Sequence, residues 1–275
     1  MSILTTDLKE HLALVTGASG GIGKATCRAL AKMGCSIAVH YHSSTQAAED
    51  LVQELKGLGV KAEAFKADLS KYDEVRTLHA AVVKSLGNPT ILFNNAGVAP
   101  KFGTKSISEI DIETFEFTWR ANCASSFLMT QLCVPAMQEK GWGRVIFCSS
   151  VAGLNGGVIG PHYASSKSAL HGLIHWLASN LAKTGITVNG IAPALIQDTA
   201  MMAPEHHEEL SKKIPIGRLG YPEEIAETVT WMVKTGEGQR GAETLKALEE
   251  AQEIEYYHSN DQINGLPKKR KLDAA

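Results

Sequence analysis

Residues 11–23 read HLALVTGASGGIG, an apolar run followed by a glycine-rich turn and the start of a stretch with helical period. Glycine has three separate uses in such a strand–turn–helix unit. Gly17 permits a tight turn, Gly21 lets backbone approach a pyrophosphate group, and Gly23 lets the helix pack closely on the strand. The N–H groups that begin the helix attract negative charge. The stretch therefore predicts a dinucleotide-binding turn in preference to a plain surface turn.

Apolar runs and helix-periodic stretches continue to alternate after this turn. The strand-like runs are residues 11–16, 36–41, 60–66, 91–93, 144–148 and 186–191. The helix-like stretches are residues 21–33, 44–56, 71–86, 112–137, 162–183 and 222–234. This alternation predicts a parallel sheet with helices on both faces, a three-layer, doubly wound α/β fold. Residues 194–216 break the pattern and are predicted to form a lid.

The composition suits a single large α/β domain. The chain has 275 residues, of which 44% are apolar and 20% charged, and a net charge of -2, which argues against nucleic acid or an acidic membrane as a partner. No apolar run approaches the ~18 residues that cross a bilayer, and the N-terminus does not read as a signal or transit peptide. Five cysteines without a C-x-x-C pair indicate reduced thiols. We therefore expect a cytoplasmic protein.

The end of the second strand bears on the choice of cofactor. A carboxylate there would bind the ribose 2′-OH of NAD and repel the 2′-phosphate of NADP. The sequence has His42, Ser43 and Ser44 instead, which favours NADP(H) over NAD(H). The alternative is that the histidines at positions 40 and 42 merely end the strand. After the third strand, Asp68 is predicted to accept from the adenine amino group; otherwise it is a helix N-cap, a role that suits Ser70 better.

Tyr163 and Lys167 are the candidates for proton transfer. They lie one turn apart at the start of a predicted helix, so they share one face. A nearby ammonium favours the phenolate form of a tyrosine, and carbonyl reduction needs a proton donor for the alkoxide that hydride delivery leaves. Such a pair alone is usually a surface feature. Ser150 lies at the end of the fifth strand, thirteen residues before Tyr163, and its presence strengthens the catalytic interpretation. The same spacing favours Ser150 over its competitor Ser149.

With these motifs the chain resembles the short-chain dehydrogenases/reductases over roughly residues 8–235, and most closely the 3-oxoacyl-(acyl-carrier-protein) reductases. The glycine motif matches, Asn94-Asn95-Ala96-Gly97 matches the motif after the fourth strand, and Asn189 and Pro193 match the segment after the sixth. The resemblance implies a Rossmann fold and NAD(P)-dependent oxidoreductase activity on a carbonyl or alcohol.

The resemblance also implies an active-site tetrad of Asn122, Ser150, Tyr163 and Lys167. Tyr163 would be the general acid or base, and Lys167 would hold the nicotinamide ribose. Ser150 would stabilise the carbonyl oxygen, and Asn122 would anchor a water in a proton relay. The expected cofactor contacts are Gly17, Ser19, Gly21, Ile22, Gly23, His42, Ser43, Asp68, Leu69, Asn95, Ala96, Gly97, Tyr163, Lys167, Ile196 and Thr199. Thr199 is chosen on the assumption of a one-residue insertion, because Asp198 holds the place of the family's usual threonine.

A histidine pair and a group of aromatic residues are interpreted as packing or interface features. His171 and His175 have the spacing of a zinc pair, but no third ligand is evident, so packing or a subunit contact is the better interpretation and no metal is expected. Trp119, Phe115 and Phe117 in the long helix are core or interface residues. Relatives pair this helix across a dimer axis, which implies a homodimer or homotetramer.

Residues 236–275 depart from the family pattern. They lack the usual last strand, so we expect the sixth strand to form an exposed edge and the tail to be partly disordered, as an altered gene model or splice form would produce. Such an end could prevent tetramer formation. The basic residues Lys268–Lys271 are taken as a solvated charge run, with a nuclear localisation signal as the alternative.

The sequence is compatible with three functions. The first is an NADPH-dependent reductase of a ketone, with a 3-oxoacyl thioester of fatty-acid biosynthesis as the substrate class. The second is an alcohol, polyol or steroid dehydrogenase of the same family. The third, of another class, is a non-catalytic NADP-binding sensor or scaffold, against which the complete tetrad argues.

Overall fold

The computed structural model describes residues 7–199, 201–202, 207–212, 214 and 216–234. Its sheet has six parallel strands in the order β3-β2-β1-β4-β5-β6. The strands are β1 (Leu12–Val15), β2 (Ser36–Tyr41), β3 (Ala62–Lys66), β4 (Ile91–Asn94), β5 (Gly143–Cys148) and β6 (Ile186–Ile191). The predicted doubly wound α/β fold is confirmed, with strand ends within two residues of the predicted ones.

The helices of the described residues follow the predicted alternation. They are α1 (Gly21–Ala31), α2 (Thr45–Gly57), α3 (Tyr72–Leu86), α4 (Ile112–Trp119), α5 (Ser125–Lys140), α6 (Ala152–Asn155), α7 (Pro161–Leu181), α8 (His207–Ser211) and α9 (Pro222–Lys234). The helix predicted over 112–137 is interrupted by a π-helical turn, Arg120–Ala124. The short elements α6 and α8 and the 3₁₀ turn Ile107–Glu109 were not predicted, because so few residues carry no readable period.

The sheet is buried on both faces, which explains why its strands read as continuous apolar runs. Along β1, Ala13 and Val15 pack in one core with residues of α1, α2 and α9. Leu12 and Leu14 point to the other face and pack with residues of α3, α5 and α7. The helices therefore cover both faces. The strand order reverses between β1 and β4, and sheets of this kind bind ligands at the carboxyl ends of the strands at such a point.

Within the described chain, β6 pairs with β5 and forms one edge of the sheet. The predictions about the tail fall on residues 235–275, which lie outside the described residues. All five cysteines are free thiols, as predicted. Among the described residues, no helix is long and apolar enough to cross a membrane.

Candidate active site

The glycine turn has the conformation that its sequence predicts. Gly17 has a φ of +64°, a region that side chains rarely adopt. A Cβ on Gly23 would lie 2.5 Å from the Gly17 carbonyl oxygen and 2.8 Å from the Ala18 Cα, so α1 can approach the strand end only with glycine there. At Gly21 the close neighbour is the backbone carbonyl of Asp198, from the segment after β6.

The start of α1 has no side-chain cap. Its N-cap residue, Gly20, makes no side-chain capping hydrogen bond, and its first turn holds no acidic residue. Ser19 and Ile22 lie half-buried in the same turn. Uncapped N–H groups at a helix start suit a phosphate. The turn therefore fits the diphosphate of a dinucleotide on its own geometry.

Gly17 is held from both sides by side chains. Its N–H donates to His40 Nδ1 at 3.0 Å, and its carbonyl accepts from Asn95 Nδ2 at 3.2 Å. His40, on β2, is 2% exposed. The interpretation that both histidines merely end a strand is therefore wrong for His40. The missed signal was a polar residue in an otherwise apolar strand, and only the strand order shows what it faces.

The motif after β4 is bonded to the strand that precedes the glycine turn. The backbone N–H groups of Asn95 and Ala96 donate to Thr16 Oγ1 at 2.9 and 3.0 Å. A side chain on Gly97 would lie 3.1 Å from Lys167 Nζ and 3.5 Å from Asn122 Oδ1. Glycine at this position leaves room for both groups, so the motif connects the phosphate turn to the predicted catalytic residues.

Tyr163 and Lys167 share one face of α7 and are both buried. The Lys167 Nζ lies 5.8 Å from the centre of the Tyr163 ring and donates to the Cys148 carbonyl at the end of β5 at 2.8 Å. The Tyr163 hydroxyl lies 4.0 Å from the sulfur of Met201, a contact that the sequence did not predict. The pair is not a surface feature: it brings a phenol and an ammonium to the end of the sheet.

The two serines that follow β5 have different surroundings. Ser149 is buried, donates to the Lys167 carbonyl at 2.9 Å and lies 2.8 Å from His171 Nε2, so its hydroxyl is engaged with α7. Ser150 is half-buried, accepts from the Ala152 N–H at 3.2 Å and lies 3.5 Å from the Pro193 carbonyl. Ala152 packs in one cluster with Tyr163. Ser150 is thus the less buried of the two hydroxyls, and its role toward a ligand stays a prediction.

Asn122 lies in the π-helical turn and is fully buried. Its Oδ1 accepts from the Val98 N–H at 2.7 Å. Its Nδ2 donates to the Val98 carbonyl and to Ser166 Oγ, both at 3.0 Å. The side-chain amide therefore joins the segment after Gly97 to α7. The role of Asn122 as the anchor of a water stays a prediction.

The predicted adenine-side and ribose-side residues lie at the ends of β2 and β3. His42 and Ser43 are exposed. Leu69 is buried, and Asp68 Oδ1 accepts from the backbone N–H and the hydroxyl of Ser70 at 3.0 and 2.7 Å. Burial raises the pKa of Asp68, but these hydrogen bonds and nearby His42 outweigh it and lower that pKa. The N-cap alternatives were wrong, because the residue that precedes α3 is Lys71.

The segment after β6 lies against the glycine turn. Ile196 is buried and bridges to Gly220, and the Thr199 hydroxyl donates to the Ile196 carbonyl at 3.0 Å. Asp198 has a φ of +56°, unusual for a residue with a side chain. This local turn puts the Asp198 carbonyl at Gly21 and leaves its side chain exposed. The cofactor contact predicted for Thr199 stays a prediction.

The helical histidine and aromatic residues that the sequence assigns to packing or interfaces make contacts of that kind or lie exposed. His171 contacts Ser149, and no group of three or more potential metal ligands occurs among the described residues. Trp119 Nε1 donates to Ser165 Oγ at 3.0 Å, which packs α4 against α7. Phe117 remains 42% exposed.

Comparisons with known proteins agree with this geometry. Residues 11–210 match the family model described as short chain dehydrogenase. The chain is 34% identical to an L-rhamnose 1-dehydrogenase (NADP(+)) of Thermoplasma acidophilum, over 80% of this chain and 87% of the relative. It is also 34% identical to a 3-oxoacyl-[acyl-carrier-protein] reductase of Synechocystis sp., over 82% of this chain and 90% of the relative.

A solved structure gives the same result for the fold. A crystal structure from Burkholderia xenovorans, assigned to the short-chain dehydrogenases/reductases, matches with a TM-score of 0.74 and 30% identity over 82% of this chain and 90% of that one. With the parallel sheet, the glycine turn and the buried Tyr163–Lys167 pair, these matches show that the chain belongs to the short-chain dehydrogenase family of oxidoreductases.

Proposed function

We propose that this chain is an NADPH-dependent reductase of ketones and that its substrate class is 3-oxoacyl thioesters. The observation that carries the proposal is the position of the Lys167 ammonium. It lies 5.8 Å from the Tyr163 ring centre and 2.8 Å from the carbonyl of Cys148, two residues before Ser150. A phenol, a cation and a half-buried hydroxyl are thereby collected at the carboxyl ends of the strands, where α/β sheets bind ligands.

The chain's own groups supply the proton chemistry. Tyr163 donates its proton to the oxygen of the reacting carbonyl, and the Lys167 ammonium stabilises the phenolate that remains. Ser150 donates a hydrogen bond to the same oxygen as negative charge develops on it. Asn122 holds the Val98 segment and α7 in place around these groups. A dinucleotide held at the glycine turn supplies the hydride.

The cofactor is proposed to be NADP(H). Exposed His42 and Ser43 end β2, and neither they nor Ser44 can repel a 2′-phosphate as a carboxylate would. Asn95, Ala96, Gly97, Asp68, Leu69, Ile196 and Thr199 complete the proposed contacts. The relative from Thermoplasma acidophilum carries NADP(+) in its name, which supports the same choice.

Apolar side chains surround Tyr163, the proposed proton donor. Tyr163 clusters with Ala152 and Ile159, against which Ala99 packs. The Met201 sulfur lies 4.0 Å from the hydroxyl itself. Such a lining favours an acyl chain over a polyol. The polyol or alcohol dehydrogenase remains the second candidate, because the sugar dehydrogenase is as similar to this chain as the acyl reductase is.

The deciding experiment measures NADPH oxidation with acetoacetyl thioesters, simple ketones and, in the reverse direction, sugars and alcohols with NADP⁺. Tyr163→Phe is run beside it, and Tyr72→Phe, at an exposed position at the start of α3, is the matched control. We expect thioester reduction, a loss of about 10²–10⁴-fold in kcat for Tyr163→Phe, and no change for Tyr72→Phe.

Each outcome separates the candidates. Turnover of sugars or alcohols without thioester reduction would replace the substrate class. NADPH binding without any turnover would favour the sensor or scaffold. Full activity of Tyr163→Phe would refute the proton-transfer mechanism.

We also propose a homo-oligomer that pairs through α4 and α5. Phe117 on α4 is 42% exposed and Phe127 on α5 is 50% exposed, and burying such rings stabilises an interface. Light scattering should give a dimer or tetramer, and Phe127→Glu should shift it toward monomer.

A further inference from the structure

The side chain of His40 joins two separate segments of the chain at the cofactor end of the sheet. The Gly17 N–H donates to its Nδ1 at 3.0 Å, and its Nε2 lies 3.1 Å from the Ala67 carbonyl. An amide N–H can only donate and a carbonyl can only accept. The ring must therefore carry its proton on Nε2 and leave Nδ1 as the acceptor, which fixes one neutral tautomer.

Backbone hydrogen bonds extend the same connection. The Ala18 N–H donates to the His40 carbonyl at 2.8 Å, and the Ala67 N–H donates to the Tyr41 carbonyl at 3.0 Å. Two successive N–H groups of the glycine turn thus end on one residue of β2. This arrangement holds Gly17 at its positive φ.

The neutral state of the ring follows from its burial. His40 is 2% exposed, and burial lowers its pKa to about 4, with the Ala67 hydrogen bond opposing and the nearby His42 reinforcing the shift. At neutral pH the ring therefore keeps Nδ1 available for Gly17. A protonated ring would place a second N–H against the Gly17 N–H.

The two joined segments are those proposed to hold opposite parts of the dinucleotide. Gly17 begins the phosphate turn, and Ala67 directly precedes Asp68 and Leu69 on the adenine side. We propose that His40 is a positioning residue for the cofactor, which sets the separation between the phosphate turn and the adenine-side segment. The inference rests on the proposed dinucleotide binding. Substitution of His40 should therefore change cofactor affinity more than the chemical step, because His40 contacts neither Tyr163 nor Lys167 in the described hydrogen bonds.

Three substitutions separate the two ring contacts. His40→Asn keeps an acceptor at the position of Nδ1, His40→Gln extends its amide toward Ala67 instead, and His40→Leu removes both contacts. His79→Leu is the matched control, since His79 on α3 is half-buried and its Nε2 has no hydrogen-bond partner in the described part of the chain. The measurement is the dissociation constant of NADPH, from the fluorescence of the bound nucleotide, with a melting curve of each unliganded variant.

We expect the NADPH dissociation constant to rise about tenfold in His40→Leu and His40→Gln, equivalent to ~1.4 kcal/mol. His40→Asn should stay within about threefold of the unaltered protein, less than 1 kcal/mol, and His79→Leu should not differ. With a ketone substrate, kcat should change less than the KM for NADPH.

Several results would overturn the inference. Unchanged NADPH affinity in His40→Gln, whatever its melting temperature, would leave His40 as an ordinary core residue. If His40→Leu does not fold, the comparison of Asn with Gln decides, and equal affinities reject the positioning role. An unaltered protein that binds neither NADPH nor NADH would instead reject the proposed function, and the inference with it.

Discussion

Asn122 and Asn94, two of the buried asparagines, offer a sharp test of the site's construction. Asn122→Leu removes the amide that satisfies both the N–H and the carbonyl of Val98. Asn94→Leu removes a similarly buried amide. Among the described residues, its Nδ2 donates only to the hydroxyl of Thr130, which itself donates to the Ser126 carbonyl, and its Oδ1 has no hydrogen-bond partner. One substitution therefore leaves two backbone groups unsatisfied, and the other leaves none.

The magnitude follows from that difference. A polar group left unsatisfied costs about 1–3 kcal/mol, and the half-buried position of Val98 puts both groups near the lower end. We expect Asn122→Leu to lower the free energy of unfolding by about 2–3 kcal/mol. At roughly 2–4 °C per kcal/mol for a chain of this size, the melting temperature should fall by about 4–12 °C. Asn94→Leu should cost less than about 1 kcal/mol.

Scanning calorimetry and urea unfolding of the two variants beside the unaltered protein would measure this. Activity of Asn122→Leu, assayed well below its melting temperature, adds a second measurement, because Val98 directly precedes Ala99, which packs in the cluster of Tyr163, the proposed proton donor. Equal destabilisation by the two substitutions would refute the reasoning, since both amides are buried and only that of Asn122 satisfies the backbone groups of Val98.

Further predictions concern two glycine substitutions and the stability of the fold at acid pH. Gly23→Ala should abolish cofactor binding measured by NADPH fluorescence, because its Cβ would collide with the Gly17 carbonyl. Gly172 is exposed in α7, and an added Cβ there would meet no atom of another described segment within 4 Å, so Gly172→Ala should stabilise the protein by about 0.5–1 kcal/mol in urea unfolding. Burial lowers the pKa of His11 and of His40 from 6.5 to about 4, so the unfolded chain binds more protons in this range and stability should fall as the pH drops from about 6.5 to 4. For His40 the loss of folding free energy is at most about 3 kcal/mol. A urea midpoint that does not change with pH across that window would contradict the conclusion that these two histidines are neutral in the folded protein.

The strands, most of the helices and the main motifs of this protein can be predicted from its sequence. Continuous apolar runs predict buried parallel strands, and helical periods between them predict the layers on either face, because both patterns are local consequences of backbone geometry. The glycines of the phosphate turn and the spacing of Tyr163 and Lys167 are equally local. The spacing that favours Ser150 over Ser149 is local as well. Ser149 contacts α7, and the role of Ser150 stays a prediction.

Other features depend on which segments the fold makes neighbours. The contact of His40 with Gly17 and Ala67 exists because β2 lies between β1 and β3 in the sheet. The approach of the Asp198 carbonyl to Gly21 and the π-helical turn at Asn122 likewise have no periodic signature. Periodicity reports which face a residue occupies, but hydrogen-bond partners across a sheet are set by strand order and register, and those are settled only when the whole chain packs.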